Sequence, residues 1–370
     1  MAPYTYYITF FIILTLLLLE NLSNWTKILV SCLFIGLISS LRFNFGADYS
    51  AYQMIYNVIM SSQSAIFGIE PLYSFYNQIT QTLGLNYIGF IVFNTVTLLA
   101  LIVLWILMST NHHYRSFFVY MSFFFLVWNL STFRQAMALS LGVFFLFNKR
   151  INTHLLIKLL IVPILAMFHV SAWFFGVLLI VGSIPWKKYY HVVFFIVSLV
   201  FTLLPSKEII TSVIYYNGLD VFTNIVKLRY YFNGMEFSSG FMNINAIMRI
   251  FFFGLVWVHY DLLTTSKYLK RMTDIFLVGM SLYLFLSFNA LIASRLTIYA
   301  LFLLVILLPE ILSYYEDKQK WKRILAMSVF VSLCTFMYFK DLYAIKKQLG
   351  IDDGKWYVEY QSILDQPITE

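Results

Sequence analysis

Charge is what this chain has least of. Asp, Glu, Lys and Arg make up 11% of its 370 residues, against about a quarter in soluble domains. Hydrophobic residues make up 61%, aromatic residues 20%, and the mean hydropathy is +0.79. Apolar runs of ~15–20 residues recur from end to end, so the fold class is an all-α polytopic integral membrane protein. Cysteine is nearly absent: Cys32 and Cys334 both lie inside apolar runs, which argues against a disulfide or metal framework. There is no P-loop, no nucleotide-binding glycine fingerprint and no Ser-His-Asp spacing, which disfavours soluble nucleotide-dependent chemistry. Asp352-Asp353-Gly354 lacks the remaining ligands of a calcium loop. No basic stripe with base-stacking aromatics stands out, so the formal charge of +8 belongs to membrane-flanking Lys and Arg and not to a nucleic-acid surface. No metal or other cofactor is expected. The first apolar run, Thr5 to Leu19, has no basic stretch before it and no small-residue cleavage site after it, and reads as a retained span. Internal repeats and low-complexity linkers are lacking too, which leaves one membrane domain over residues 1–340 and a short polar tail over 341–370.

What is present is a pattern of apolar runs and basic turns. The runs predict about twelve spans, near 5–19, 27–41, 86–108, 116–129, 133–147, 154–168, 170–184, 191–205, 242–262, 272–288, 294–312 and 322–340. The stretches 116–147, 154–184 and 272–312 could each be one long segment. Basic clusters bracket each of them (HHYR, NKRINTHLLIK, WKKYYH, SKYLKR, EDKQKWKR), and basic loops stay cytoplasmic. Both ends of each stretch therefore lie inside, and the chain turns round in the middle, at NLSTFR, FHVSA and SFNALIASR. About fourteen of the 25 Lys and Arg fall in the cytoplasmic turns so defined. Both termini then lie outside. So do two segments too polar to span, Arg42 to Leu85 and Ser206 to Phe241. In the first, Tyr49, Tyr52 and Tyr56 share one helix face, which predicts an amphipathic helix along the membrane surface.

The outer turns hold a sparse polar set. Arg134 and Arg295 are placed in the first turns of helices running inward. A helix N-terminus is already positive and has unpaired N–H groups, so a cation there is best tolerated with an anion beside it. A phosphate or diphosphate suits the guanidinium fork; the plain alternative is an arginine snorkelling to lipid phosphates. Arg42 and Asp48 flank Gly46 in SLRFNFGADYSAY, where Asp48 is either a helix N-cap or a functional carboxylate. Glu70, before Pro71, reads as an early-helix carboxylate or an acid–base group. His169 lies between two short spans, a layout found where membrane helices break around a site, and a structural histidine is the plain alternative. The outer tyrosines suit either sugar stacking or an interfacial belt. His112, His113, His154 and His191 fall in cytoplasmic turns with no acidic partner evident.

These residues resemble the EpsG-like family of bacterial polysaccharide polymerases, membrane proteins of the Wzy type. The family's Arg, then G-T-D and a Tyr, reads here LRFNFGADYSAY; Ala47 stands where Thr is usual, so a hydroxyl contact is lost while Asp48 remains. A Glu-containing helix start follows as IEPLYSFYNQI. Next come R-Q with a small residue, FRQAMALSLGVFF with Arg134 and Gln135, then FHVSAWFF. Last is an Arg four residues before a Tyr, SRLTIYALF, with Arg295 and Tyr299. Five motifs in order cover about residues 40–310.

The resemblance implies a glycosyltransferase of the bacterial plasma membrane. It would join undecaprenyl-diphosphate-linked oligosaccharide repeat units at the outer face, with the lipid diphosphate as leaving group and no nucleotide sugar. Partners would be those lipid-linked oligosaccharides, membrane lipids, a chain-length regulator and a flippase. On this reading Arg134 and Arg295 hold the diphosphate, Arg42 is a further candidate, and Gln135, Tyr49, Tyr52 and Tyr299 line the substrate site. Asp48 is the preferred base, with Glu70 and His169 behind it. The rivals are a lipid-linked oligosaccharide flippase, which should show two comparable halves and midplane charges, a membrane O-acyltransferase with a cytoplasm-facing histidine, and a scaffold.

Overall fold

The computed structural model describes residues 4–46, 48–59, 69–151, 154–203 and 243–349, with 358, 360 and 362. Ala47, the outer segment around 206–241 and Asp352-Asp353-Gly354 lie outside the described residues. Among those described there is no β-strand; an isolated bridge pairs Arg42 with Ser362. The chain divides into two compact units, residues 1–173 with 308–370, and residues 174–307.

Each of the twelve apolar runs forms helix. In the first unit these are α1 (Thr5–Leu18), α2 (Asn24–Leu41) and α5 (Tyr87–Ser109), then α6 (His113–Tyr120) leading through a π segment, Met121–Phe125, into α7 (Leu126–Trp128). α8 (Phe133–Leu146), α9 (Leu155–Ala166) and a 3₁₀ turn (Val170–Trp173) follow. The polar stretch after α2 folds into two short helices, α3 (Tyr49–Val58) and α4 (Pro71–Thr82). The second unit holds α10 (Phe174–Val181), α11 (Lys188–Leu203), α12 (Ile244–Val258), α13 (Tyr260–Leu263), α14 (Lys267–Phe285) and α15 (Ala290–Leu301). The chain ends in α16 (Leu304–Tyr314) and α17 (Lys320–Gln348).

Length separates these helices. Asn24–Leu41, Tyr87–Ser109 and Lys320–Lys347 are long and apolar enough to cross a bilayer, and α15 with α16 makes a fourth if that pair, bent by 50°, is one span. The other apolar helices have 10–17 residues, short of the ~20 a straight crossing needs. Their interruptions have identifiable causes: the π segment before α7, the 3₁₀ turn before α10, and Pro163 in α9. The outward faces are apolar. Leu29, Leu33 and Leu37 on α2 and Trp321, Leu325, Val329 and Phe336 on α17 are all exposed, a surface that suits lipid and not water.

Packing follows small residues and aromatics. In the second unit α14 is the hub, touched by α10, α11, α12, α13 and α15. A Cβ at Gly279 would lie 2.1 Å from the Ala300 Cβ, so α14 and α15 meet backbone to backbone, as small residues allow between membrane helices. In the first unit α2 packs on α5 and α5 on α8, with Trp105 fully buried and its indole N–H on the Phe147 carbonyl at 3.2 Å. The described part of the polar tail is tied to the first unit. α17 continues to Gln348, and beyond it Tyr360 donates to the Ile38 carbonyl at 3.1 Å and packs edge-on against Tyr6.

Candidate active site

Four helix ends meet at one end of the first unit. α2 and α9 arrive there, while α8 leaves and α4 begins. α4 starts at Pro71, whose missing N–H costs nothing in a first turn. The next two N–H groups, of Leu72 and Tyr73, donate to the Met167 carbonyl at 3.0 and 3.3 Å. That main-chain cap leaves the preceding Glu70 side chain with no capping duty. Its Oε2 accepts instead from Arg134 Nη1 at 2.7 Å.

Arg134 is the second residue of α8, whose N-cap, Thr132, makes no side-chain cap. The guanidinium lies over the rings of Tyr52 and Tyr73 at 5.7 and 5.9 Å, a favourable cation–π arrangement. Burial pushes both phenols above their ordinary range, with Arg134 opposing, so both rings stay neutral. Arg134 Nε makes no hydrogen bond among the described residues.

Arg42 is fully buried just beyond α2. One nitrogen donates to the Ser39 carbonyl, and the guanidinium sits 5.0 Å from the Phe133 ring. Nε and Nη2 have no hydrogen-bond partner among the described residues. Burial pulls this guanidinium below its ordinary value. A buried cation with spare donors is costly unless an anion joins it. The loop that follows turns through Asn44 and Gly46, both at positive φ (46° and 109°). A Cβ at Gly46 would lie 2.2 Å from the Leu130 carbonyl oxygen, so glycine lets this loop lie flush on the break before α8.

Asp48 occupies the N-cap position of α3 without a side-chain cap, so capping does not account for it. It lies one helical turn before Tyr52, whose backbone N–H donates to the Asp48 carbonyl at 2.9 Å, and its charge pushes the Tyr52 phenol up while that of Arg134 pulls it down. The tyrosine face of α3 is one face, as its spacing predicts, but it points into protein. Tyr49, Tyr52 and Tyr56 are each under 5% exposed. Tyr52 stacks on Phe133 and meets Tyr73 edge-on, while Tyr49 meets Tyr87. As placed, the Tyr49 and Tyr52 rings shape the site from behind and offer no open face to a sugar.

His169 belongs to the same end of the unit. Gln135 Nε2 donates to Ser171 Oγ at 3.1 Å, and that oxygen lies 2.7 Å from His169 Nδ1. Gln135 neighbours Arg134, so α8 carries the cation and the amide side by side.

Arg295 and Tyr299 lie in the second unit. Arg295 is not in a first turn: Asn289 caps α15 by accepting from Ile292 N at 3.0 Å. The helix starts at Ala290 and Arg295 is its sixth residue. The turn expected across SFNALIASR ends at Asn289, and that cap is the signal in the sequence for the earlier helix start. Tyr299 is fully buried with its ring centroid 4.5 Å from that of Phe175.

Some partners were not evident from sequence. Ser171 and Tyr73 join the cluster through contacts between distant segments. Two histidines do have acidic partners. His112 lies 3.8 Å from Glu310, and burial pulls its ring below the ordinary value, opposed by that carboxylate. His191 Nε2 is 2.9 Å from Asp274, which also accepts from Tyr260 and Lys270. His191 is fully buried under Trp186, a closed position that does not suit a histidine meeting an acyl donor. Among the described residues no group of three His, Cys, Asp or Glu side chains could hold a metal.

The sequence profile of the EpsG family matches residues 25–362. The chain belongs to the EpsG family. The match takes in every element of the cluster, from α2 to the 3₁₀ turn, and the whole second unit. No curated protein and no solved structure matches the chain. EpsG membership points to a polysaccharide polymerase type of function in a membrane protein.

Proposed function

We propose that this EpsG-family protein polymerises oligosaccharide repeat units carried on undecaprenyl diphosphate, at the outer face of the bacterial plasma membrane. The single observation that carries the reading is the Arg134 guanidinium at an uncapped helix N-terminus, pinned by Glu70, with fully buried Arg42 behind Phe133. Cationic donors at a helix N-terminus suit a diphosphate, whose charge grows as the glycosidic bond breaks. The chain is proposed to cross the membrane twelve times, with this cluster and both termini outside.

In the reaction, an acceptor hydroxyl of a new lipid-linked unit attacks the anomeric carbon of the growing chain. The carbon–oxygen bond to the diphosphate breaks, its electron pair stays on the diphosphate, and the hydroxyl proton passes to a base. Asp48 is assigned that role. Glu70 has one oxygen committed to Arg134, and a carboxylate serving a cation is a poorer proton acceptor. Arg295, in the second unit, is proposed to bind anionic substrate groups through its side chain alone, since its position in α15 gives it no helix-end N–H groups to share. The genetic test is deletion: single repeat units should remain on the carrier or its downstream acceptor, with no long polymer. Repeat units held on the cytoplasmic side would support a flippase instead.

A further inference from the structure

α1 carries two neighbouring tyrosines that face opposite ways. Tyr6 is fully buried and stacks at 4.6 Å on Phe45, in the loop that follows Arg42. Tyr7 turns toward α17, stacks at 5.5 Å on Phe339, and lines a cavity of about 740 Å³ between the two helices. Ile8, Phe11 and Leu342 give this groove apolar walls. Ile8, Phe11 and Tyr343 are exposed where they line it, so it opens toward lipid. One end is polar. α1 begins at Thr5 and α17 ends at Gln348, which puts Tyr7 and Lys346 at the same end, beside Val358, whose N–H donates to the Tyr7 hydroxyl at 3.3 Å. Lys347 adds a second cation in the last turn of α17. An apolar groove with a cationic end at the membrane surface matches a lipid with an anionic headgroup.

The tail links that end to the arginine cluster. Val358 lines the groove, Tyr360 packs on Tyr6, and Ser362 bridges Arg42. Four residues of chain span at most about 14 Å, so the groove and Arg42 are near neighbours. α1, roughly 10 Å across, stands between them, with Tyr6 on one side and Tyr7 on the other. A diphosphate beside Lys346 is therefore a different one from that held by Arg134.

We propose that the groove between α1 and α17 seats the polyisoprenyl chain of the acceptor, the incoming lipid-linked repeat unit, with Lys346 beside its diphosphate. The assignment rests on the polymerase reading. The growing chain is joined to the far sugar of the incoming unit, so the two lipids have to be held an oligosaccharide apart. Arg134 takes the diphosphate that leaves, and the groove takes the lipid that stays. After transfer the lengthened chain hangs on the lipid in the groove, and bare undecaprenyl diphosphate departs from Arg134.

Photocrosslinking reads the occupant. Full-length protein with benzoylphenylalanine in place of Tyr343 is placed in phosphatidylcholine bilayers with purified undecaprenyl-diphosphate-linked repeat unit, and the adducts are identified by mass. The same probe in place of Leu33, exposed on α2 away from the groove, is the control. The expected adduct is the lipid-linked unit at position 343 and phosphatidylcholine at position 33. During turnover the adduct at 343 should gain whole repeat units. Ile8→Trp fills the groove from an exposed position and should raise the substrate concentration for half-maximal labelling about tenfold, with the unfolding temperature unchanged. The same lipid at both positions, a crosslinked second copy at 343, or unchanged labelling in Ile8→Trp overturns the groove. An adduct at 343 that loses its sugars to leave bare undecaprenyl diphosphate marks a donor lipid and overturns the acceptor role alone. Wild-type protein that is labelled at 343 but forms no polymer overturns the polymerase reading, and the acceptor role with it.

Discussion

Arg134 and Glu70 form a 2.7 Å ion pair between residues 64 apart in sequence. The pair ties the start of α8 to the start of α4 and holds a guanidinium at a helix N-terminus where it would otherwise be repelled. Glu70 is therefore read as a holder of the cation, and Arg134 as the group that meets the diphosphate. Arg134→Lys keeps the charge but loses the planar fork. Polymerisation should fall by roughly 10²–10³-fold, with membrane insertion unchanged on fractionation. Glu70→Ala should instead cost stability first, about 3 kcal/mol for an orphaned partly buried charge, read as a lower unfolding temperature of the purified protein. Wild-type turnover in Arg134→Lys would remove Arg134 from the chemistry.

Asp48 is tested by two substitutions with different expectations. Asp48→Asn preserves shape but cannot take a proton, so substrate should still bind while turnover drops by roughly 10²–10⁴-fold. Asp48→Ala should match it, since the side chain caps nothing that Asn would rescue. Near-normal polymer from Asp48→Asn would move the base elsewhere.

Gly46→Ala should destabilise the loop over the break before α8. The backbone there has φ +109° and the new methyl would meet the Leu130 carbonyl at 2.2 Å, together worth about 3 kcal/mol. Gly254→Ala, inside α12 with nothing within 4 Å of the added carbon, is the control and should leave the unfolding temperature unchanged or slightly raised. Equal effects at both positions would contradict the close approach.

The proposed orientation is read with single cysteines in a protein lacking Cys32 and Cys334. Val170 and Leu291 are exposed beside the proposed outer turns, and Cys at either should react with a membrane-impermeant thiol reagent from outside. Cys at Lys149 or Lys318 should react only after permeabilisation. Labelling of Val170→Cys and Lys149→Cys from the same side would break the hairpin that α8 and α9 form.

The helices were legible because hydropathy sets them: each apolar run is a helix, and Arg134 does open one. Helix breaks were legible where polar residues interrupt an apolar run, as at NLSTFR and FHVSA. The start of α15 was not, because Ala290 to Ala293 continue the apolar pattern on both sides of the turn and the Asn289 cap decides where the helix begins. Side-chain partnerships over long separations were beyond reach as well. Glu70 with Arg134, Gln135 with Ser171, and Asp274 with His191 each join segments whose approach depends on packing. The shared face of the α3 tyrosines was legible from their spacing. Which way it turned was not, since aromatic residues suit a membrane surface and a protein interior equally well, and Phe133, Tyr73 and Tyr87 settled it.

The most direct test is reconstitution of the full-length protein alone in lipid bilayers with a purified undecaprenyl-diphosphate-linked repeat unit and no nucleotide. The account predicts a ladder of products at multiples of the repeat, with one undecaprenyl diphosphate released for each linkage formed. Substrate that keeps its length but changes its side of the bilayer would contradict it.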